Sequence, residues 1–134
     1  MSSRQTRDLL ADVETTIEEF IADLRDNIFT RDHERGDLLL VEFFFKKLPP
    51  QPKMNYVIDH ILPCKKMIDE ENVNYFAQKK DKIFAGLPPE RVNYFAHLVM
   101  TPPEQGGMSL EDKQCVWAYL KTLAAAADEY KKRV

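Results

Sequence analysis

At 134 residues the chain is sized for one hydrophobic core and reads as a single domain, and with 44% hydrophobic, 31% charged and 10% aromatic residues it is too apolar for a disordered chain. No apolar run approaches the roughly 18 residues of a membrane span, and Asp8, Asp12, Glu14, Glu18 and Glu19 stand where a secretory signal would be apolar, so an intracellular protein is expected. The net charge of −3 is uneven: residues 1–42 hold five arginines against eleven acids, and residues 43–134 hold fourteen basic residues against eleven acids, so an acidic first helix either lies over a more basic remainder or faces a partner.

Residues 1–5 carry no apolar pattern and are expected as a loose tail. Beyond them Leu10, Val13, Ile17, Phe20 and Leu24 recur at alternating spacings of three and four, which predicts an amphipathic helix from about Thr6 to Phe29. That stripe must pack on something: the rest of the domain, or a second copy of the chain in a homodimer. Thr30 to Gly36 reads as a polar turn, with Asp37 as the cap of a segment, Leu38 to Phe45, that is apolar on all sides. Periodicity does not separate a buried helix from a buried strand there. Helix is expected, because a lone strand has no evident pairing partner, and Phe43, Phe44 and Phe45 are expected at the centre of the core.

Past the prolines at 49, 50 and 52, Met54, Val57, Ile58, Ile61 and Leu62 keep helical spacing as far as Pro63, and a kinked continuation carries Met67 and Ile68. Asn72 is placed to cap a helix that buries Phe76 and Phe84 and stops at Gly86. Pro88 or Pro89 then opens a helix with Val92, Phe95, Leu98 and Val99 on one face. Thr101 to Gly107 is a loop. Ser109 with Asp112 three residues on is the clearest helix start in the chain, and Trp117, Leu120 and Leu123 are the core anchors of a last helix running to about Lys132. The fold class is therefore all-α: one domain of about six helices, long first and last, around a Phe-rich segment. Asn-Tyr pairs at 55/56, 74/75 and 93/94 recur every 19 residues, which suits three helices that each bury a ring and leave its hydroxyl at the rim.

Chemistry-bearing patterns are scarce. His60 and Cys64 are four apart but have no second pair of ligand spacing, so no metal or other cofactor is expected. Both Cys64 and Cys115 read as reduced thiols. Asp32-His33-Glu34-Arg35 brings acid, base and cation together without a nucleophile or oxyanion donors beside them, and Gly106-Gly107 is a turn rather than a phosphate loop. Lysine doublets at Lys46/Lys47, Lys65/Lys66 and Lys79/Lys80 are the candidates for a nucleic-acid face, set against a sequence pI of about 5.6 where dedicated nucleic-acid domains often exceed about 9.

In the second half, Ile61-Leu62-Pro63, Tyr75-Phe76, Lys82-Ile83-Phe84 and Leu87-Pro88 lead to the closing run Val116-Trp117-Ala118-Tyr119-Leu120-Lys121-Thr122-Leu123. This pattern resembles small helical proteins of large nucleocytoplasmic DNA viruses over roughly residues 57–130. The resemblance implies a viral setting, host cytoplasm or virion, with Trp117, Tyr119 and Leu120 as fold residues. Together these readings lead to the expectation of a non-enzymatic helical protein that binds another protein, viral or host, or scaffolds an assembly. A nucleic-acid accessory protein ranks second and an enzyme third.

Overall fold

The computed structural model describes residues 3–83 and 88–134. The opening stripe forms α1 (Ser3–Asp23), which begins three residues ahead of Thr6, so the expected loose tail is already helical from Ser3. Its last turn widens: Leu24–Ile28 is a π-helical turn in which the Phe29 N–H reaches back five residues to the Leu24 carbonyl, at 2.6 Å. Helix α2 (Asp32–Lys46) follows. It starts five residues before the Asp37 predicted to cap it, because Glu34 folds back to accept the Arg31 backbone N–H at 3.1 Å, and Asp32 and Glu34 place carboxylates at the positive end of the helix dipole. Asp37 is used elsewhere, in an ion pair with Arg91.

Prolines set the next starts, as their fixed φ and missing N–H favour. Pro50 opens α3 (Pro50–His60), a 3₁₀ turn over Leu62–Cys64 carries the kink at Pro63, and α4 (Lys65–Asp69) is little more than one turn. Asn72 caps α5 (Val73–Ile83), its Oδ1 accepting from the Tyr75 N–H at 3.0 Å. Pro89 opens α6 (Pro89–Met100). Gly106 sits at φ 89°, in the left-handed region, and a Cβ on Gly107 would lie 1.9 Å from the Thr101 carbonyl oxygen, so the turn before the last helix requires both glycines. Ser109 accepts from the Asp112 N–H at 3.1 Å and starts α7 (Leu110–Arg133). All of the described secondary structure is helical, and the chain is one compact all-α domain.

Helices α1 and α7 pack along each other, with α3 against both and α4 against α7. Their shared core holds Val13, Ile17, Ile21, Met54, Val57, Ile68, Trp117, Leu120 and Leu123, and Trp117 meets Phe76 of α5 edge-on with centroids 5.3 Å apart. Of the five stripe residues expected either in the core or in a homodimer, Val13 and Ile17 are buried inside this chain, and Leu10, Phe20 and Leu24 are half-buried against its own helices. A second, smaller cluster of Phe29, Leu38 and Met108 lies beneath α6, with Phe95, Leu98 and Val99 against it.

The Phe-rich segment departs from its expected place. Leu38 is buried, but Phe43 is 58% exposed, and Leu39 and Leu40 are each 51% exposed. Phe44 and Phe45 are half-buried in an aromatic cluster with Tyr56, Phe45 at 5.2 Å and Phe44 at 6.2 Å between centroids. The segment is a helix laid on the surface of the bundle, so one side of it faces solvent. Phe76 and Phe95 are half-buried, and Phe84 with Gly86 lies outside the described residues.

Candidate functional site

Two features stand out, on opposite sides of α2. The outer one is a stripe. Gly36, Leu39, Leu40 and Phe43 occupy positions i, i+3, i+4 and i+7, all exposed, so they share one face of the helix. Lys47, one turn on, holds its ammonium 4.2 Å from the centre of the Phe43 ring. The exposed Lys46 beside it has the Glu42 carboxylate at 3.9 Å. A Cβ at Gly36 would meet nothing within 4 Å, so among the described residues no packing calls for the missing side chain. Three large apolar side chains and a glycine thus line up in the open.

The inner feature is a cavity of about 200 Å³. It lies between the two apolar clusters, which Val116 bridges: Ile17, Ile21, Leu120 and Leu123 of the larger cluster form one side, and Phe29, Leu38 and Met108 of the smaller form another. Leu24 of the π-helical turn and Val41 and Phe45 of α2 complete the floor, and Val92, Phe95, Ala96 and Val99 of α6 form the roof. Among the helices, α6 packs its backbone extensively along α5 alone, and none of its residues is fully buried. Its fastening to α2 is at the rim. Tyr94 donates to the Glu34 carboxylate at 2.5 Å and Arg91 Nε to Asp37 at 2.5 Å, while Phe95 packs on Phe29 with centroids 4.6 Å apart. Glu34 is only 4% exposed, and its acceptance of the Tyr94 hydroxyl raises that phenol above its ordinary pKa. Protein interiors rarely leave room for more than a water molecule. An enclosed void of this size would cost on the order of 5 kcal/mol at about 24 cal/mol per Å³.

The residues singled out by the sequence are scattered relative to these features. Lys46 and Lys47 close α2, Lys65 and Lys66 open α4, and Lys79 and Lys80 lie on α5, three helices that share no extensive contact with one another. Lys65 pairs with Asp69 at 2.8 Å, and Lys80 donates to the Ala77 carbonyl at 3.2 Å. Cys64 is buried and free, with its thiol 3.9 Å from the His60 carbonyl oxygen and 3.8 Å from the Tyr75 hydroxyl, and Cys115 is free and partly buried. Among the described residues no group of three His, Cys, Asp or Glu side chains converges as metal ligands would, and no helix is long and apolar enough to cross a membrane. The Asn-Tyr tyrosines are all half-buried, yet each serves a different neighbour: Phe45 for Tyr56, the Cys64 thiol for Tyr75 and Glu34 for Tyr94.

Two polar arrangements escaped the sequence reading. Lys53 is 6% exposed and reaches Glu14 of α1 at 2.6 Å. Tyr119 stacks on Phe20 at 4.8 Å and donates to the Asp23 carboxylate, which raises the Tyr119 pKa. Both join residues dozens of positions apart, so neither leaves a local signal. Comparison of the chain with protein-family models, with curated proteins and with solved structures gives no match.

Proposed function

We propose that this chain is a helical protein-interaction module that presents the outer stripe of α2 to a partner protein. The observation that carries the reading is the run of Leu39, Leu40 and Phe43 in solvent on the face that also holds Gly36. An i, i+3, i+4, i+7 set of apolar anchors is the pattern by which a helix docks into an apolar groove. Exposed apolar patches of this kind mark interaction sites in folded proteins. Three anchors fall short of the roughly 1,200–2,000 Å² that standard interfaces bury, which favours a groove that wraps one helix over a flat contact between two bundles. Lys46 and Lys47 at the end of the stripe suit a partner with carboxylates at the rim of its groove.

Self-association through the α1 stripe is not part of this proposal, since Val13 and Ile17 already serve the chain's own core. A viral assembly or replication setting is proposed on the sequence resemblance over residues 57–130 alone. The test is capture of partners by the tagged full chain from its native cell system, beside Leu40→Glu and Phe43→Glu. Partners held by the wild type should be lost by both variants while the circular dichroism and melting temperature stay within error. A partner set unchanged by both substitutions would remove the stripe from the interface and overturn the proposal.

A further inference from the structure

We infer that the cavity beneath α6 is a binding site for an uncharged apolar small molecule, about the size of a substituted benzene ring or a short alkyl chain. The size follows from the volume: about 200 Å³ exceeds the roughly 150 Å³ of an apolar cavity that stays dry and takes up benzene. The chemistry follows from the lining. Among the described residues the surface the cavity exposes is apolar, drawn mainly from aliphatic and aromatic side chains of α1, α2, α3, α6 and α7. A charged or strongly polar ligand would leave water there without a donor or acceptor in return. Among the described residues of the wall, the charged one, Arg91, already gives its Nε to Asp37 at 2.5 Å, so that cation is neutralised before any ligand arrives.

A macromolecular occupant does not fit. A helix with its side chains is about 10–12 Å across, and α6 roofs the space, held over it through Glu34–Tyr94 and Asp37–Arg91. Exposed Pro88 and half-buried Arg91 are among the residues that line it. This inference does not depend on the α2 stripe, whose anchors point to the other side of the helix and line none of the cavity.

The probe is toluene, titrated into the full chain near its aqueous solubility, with benzoate as the same ring carrying a charge. Toluene should bind saturably at one site, raise the melting temperature with its concentration, and shift the methyl resonances of Val92, Leu120 and Leu123 while those of Leu39 and Leu40 stay in place. Benzoate should bind at least tenfold more weakly. Ala96→Phe, which fills the space from the roof, should weaken toluene at least tenfold, and Leu123→Phe does the same from the opposite wall should the first variant fail to fold. Absence of saturable binding to the wild type would overturn the inference, as would benzoate binding as tightly as toluene. An affinity unmoved by a folded filling variant would do so too.

Discussion

Removing the charge of Glu14 while keeping its shape should destabilise the protein far more than removing the lysine it pairs with. Lys53 is the deeper partner: its side chain is 7% exposed, that of Glu14 is 33% exposed, and the two meet at 2.6 Å between α3 and α1. Breaking a buried pair from one side costs about 3–5 kcal/mol because an uncompensated charge is left behind. With Glu14 one-third exposed, water reaches part of the site, so about 2–3 kcal/mol is expected for Glu14→Gln. At an unfolding entropy of about 2.1 cal/mol/K per residue, that is a fall of roughly 7–11 °C in melting temperature. Lys53→Met leaves only the carboxylate that water already reaches, and should cost about 1 kcal/mol or less. The double variant should lie within about 1 kcal/mol of wild type, a coupling near 2 kcal/mol between the two sites. Urea denaturation of the four proteins, with the slope checked for constancy, gives the cycle. A Glu14→Gln cost below about 0.5 kcal/mol, or a double variant as unstable as the sum of the singles, would refute the asymmetry.

Trp117→Ala should cost about 3–5 kcal/mol in the same assay, because a ring 7% exposed between α5 and the α1/α7 core is removed and the contact with Phe76 goes with it. An unchanged denaturation midpoint would show that the ring is not packed there. Burial pushes the Tyr56 phenol from 10.0 up to about 12. The folded state therefore holds that proton more tightly than the unfolded one, and the stability it contributes is complete below about pH 10 and lost as pH rises toward 12. Tyr56→Phe should flatten that alkaline decline, and its ultraviolet titration should lack the phenol that titrates near pH 12 in the wild type. A decline of the same steepness in Tyr56→Phe would refute the assignment.

Local chemistry was legible and long-range chemistry was not. Ser109, Asn72 and Pro89 each act within three residues of themselves, and each starts or caps the helix predicted for it, whereas Pro50 starts α3 inside the proline stretch expected to precede that helix. The start of α2 was missed because the cap is made from the other side, by the carboxylate of Glu34 reaching back to Arg31, and Glu34 is itself anchored by a tyrosine 60 residues away. The run from Leu38 to Phe45 looked like the centre of the core because apolar residues on every side of a helix ordinarily mean burial on every side. Here Leu38, Val41 and Phe45 line the cavity, while Leu39, Leu40 and Phe43 stand in solvent on the other side. Composition adds these two faces together and keeps no record of which is which. The cavity itself has no sequence signal, since a void is made by what two clusters leave unfilled.

Gly36 offers the sharpest separation of stability from function in the proposed interface. It lies inside α2 at an ordinary helical φ, so it is not there for a left-handed turn, and a Cβ on it would meet no atom of the described residues within 4 Å. Glycine within a helix is less favourable than alanine by roughly 0.5–1 kcal/mol, because the unfolded chain has more freedom to lose. Nothing in the isolated protein offsets that loss. Gly36→Ala should therefore raise stability by about 0.5–1 kcal/mol, or roughly 2–4 °C in melting temperature. If a partner backbone approaches α2 over Gly36, the added methyl stands in its path, and the more stable variant should capture less partner than wild type. Leu40→Glu, at the centre of the same face, sets the scale for complete loss. A lower melting temperature for Gly36→Ala would refute the account of α2 as an unobstructed helix. A higher one with partner capture undiminished would move the closest approach away from Gly36 and leave Leu39, Leu40 and Phe43 as the contact.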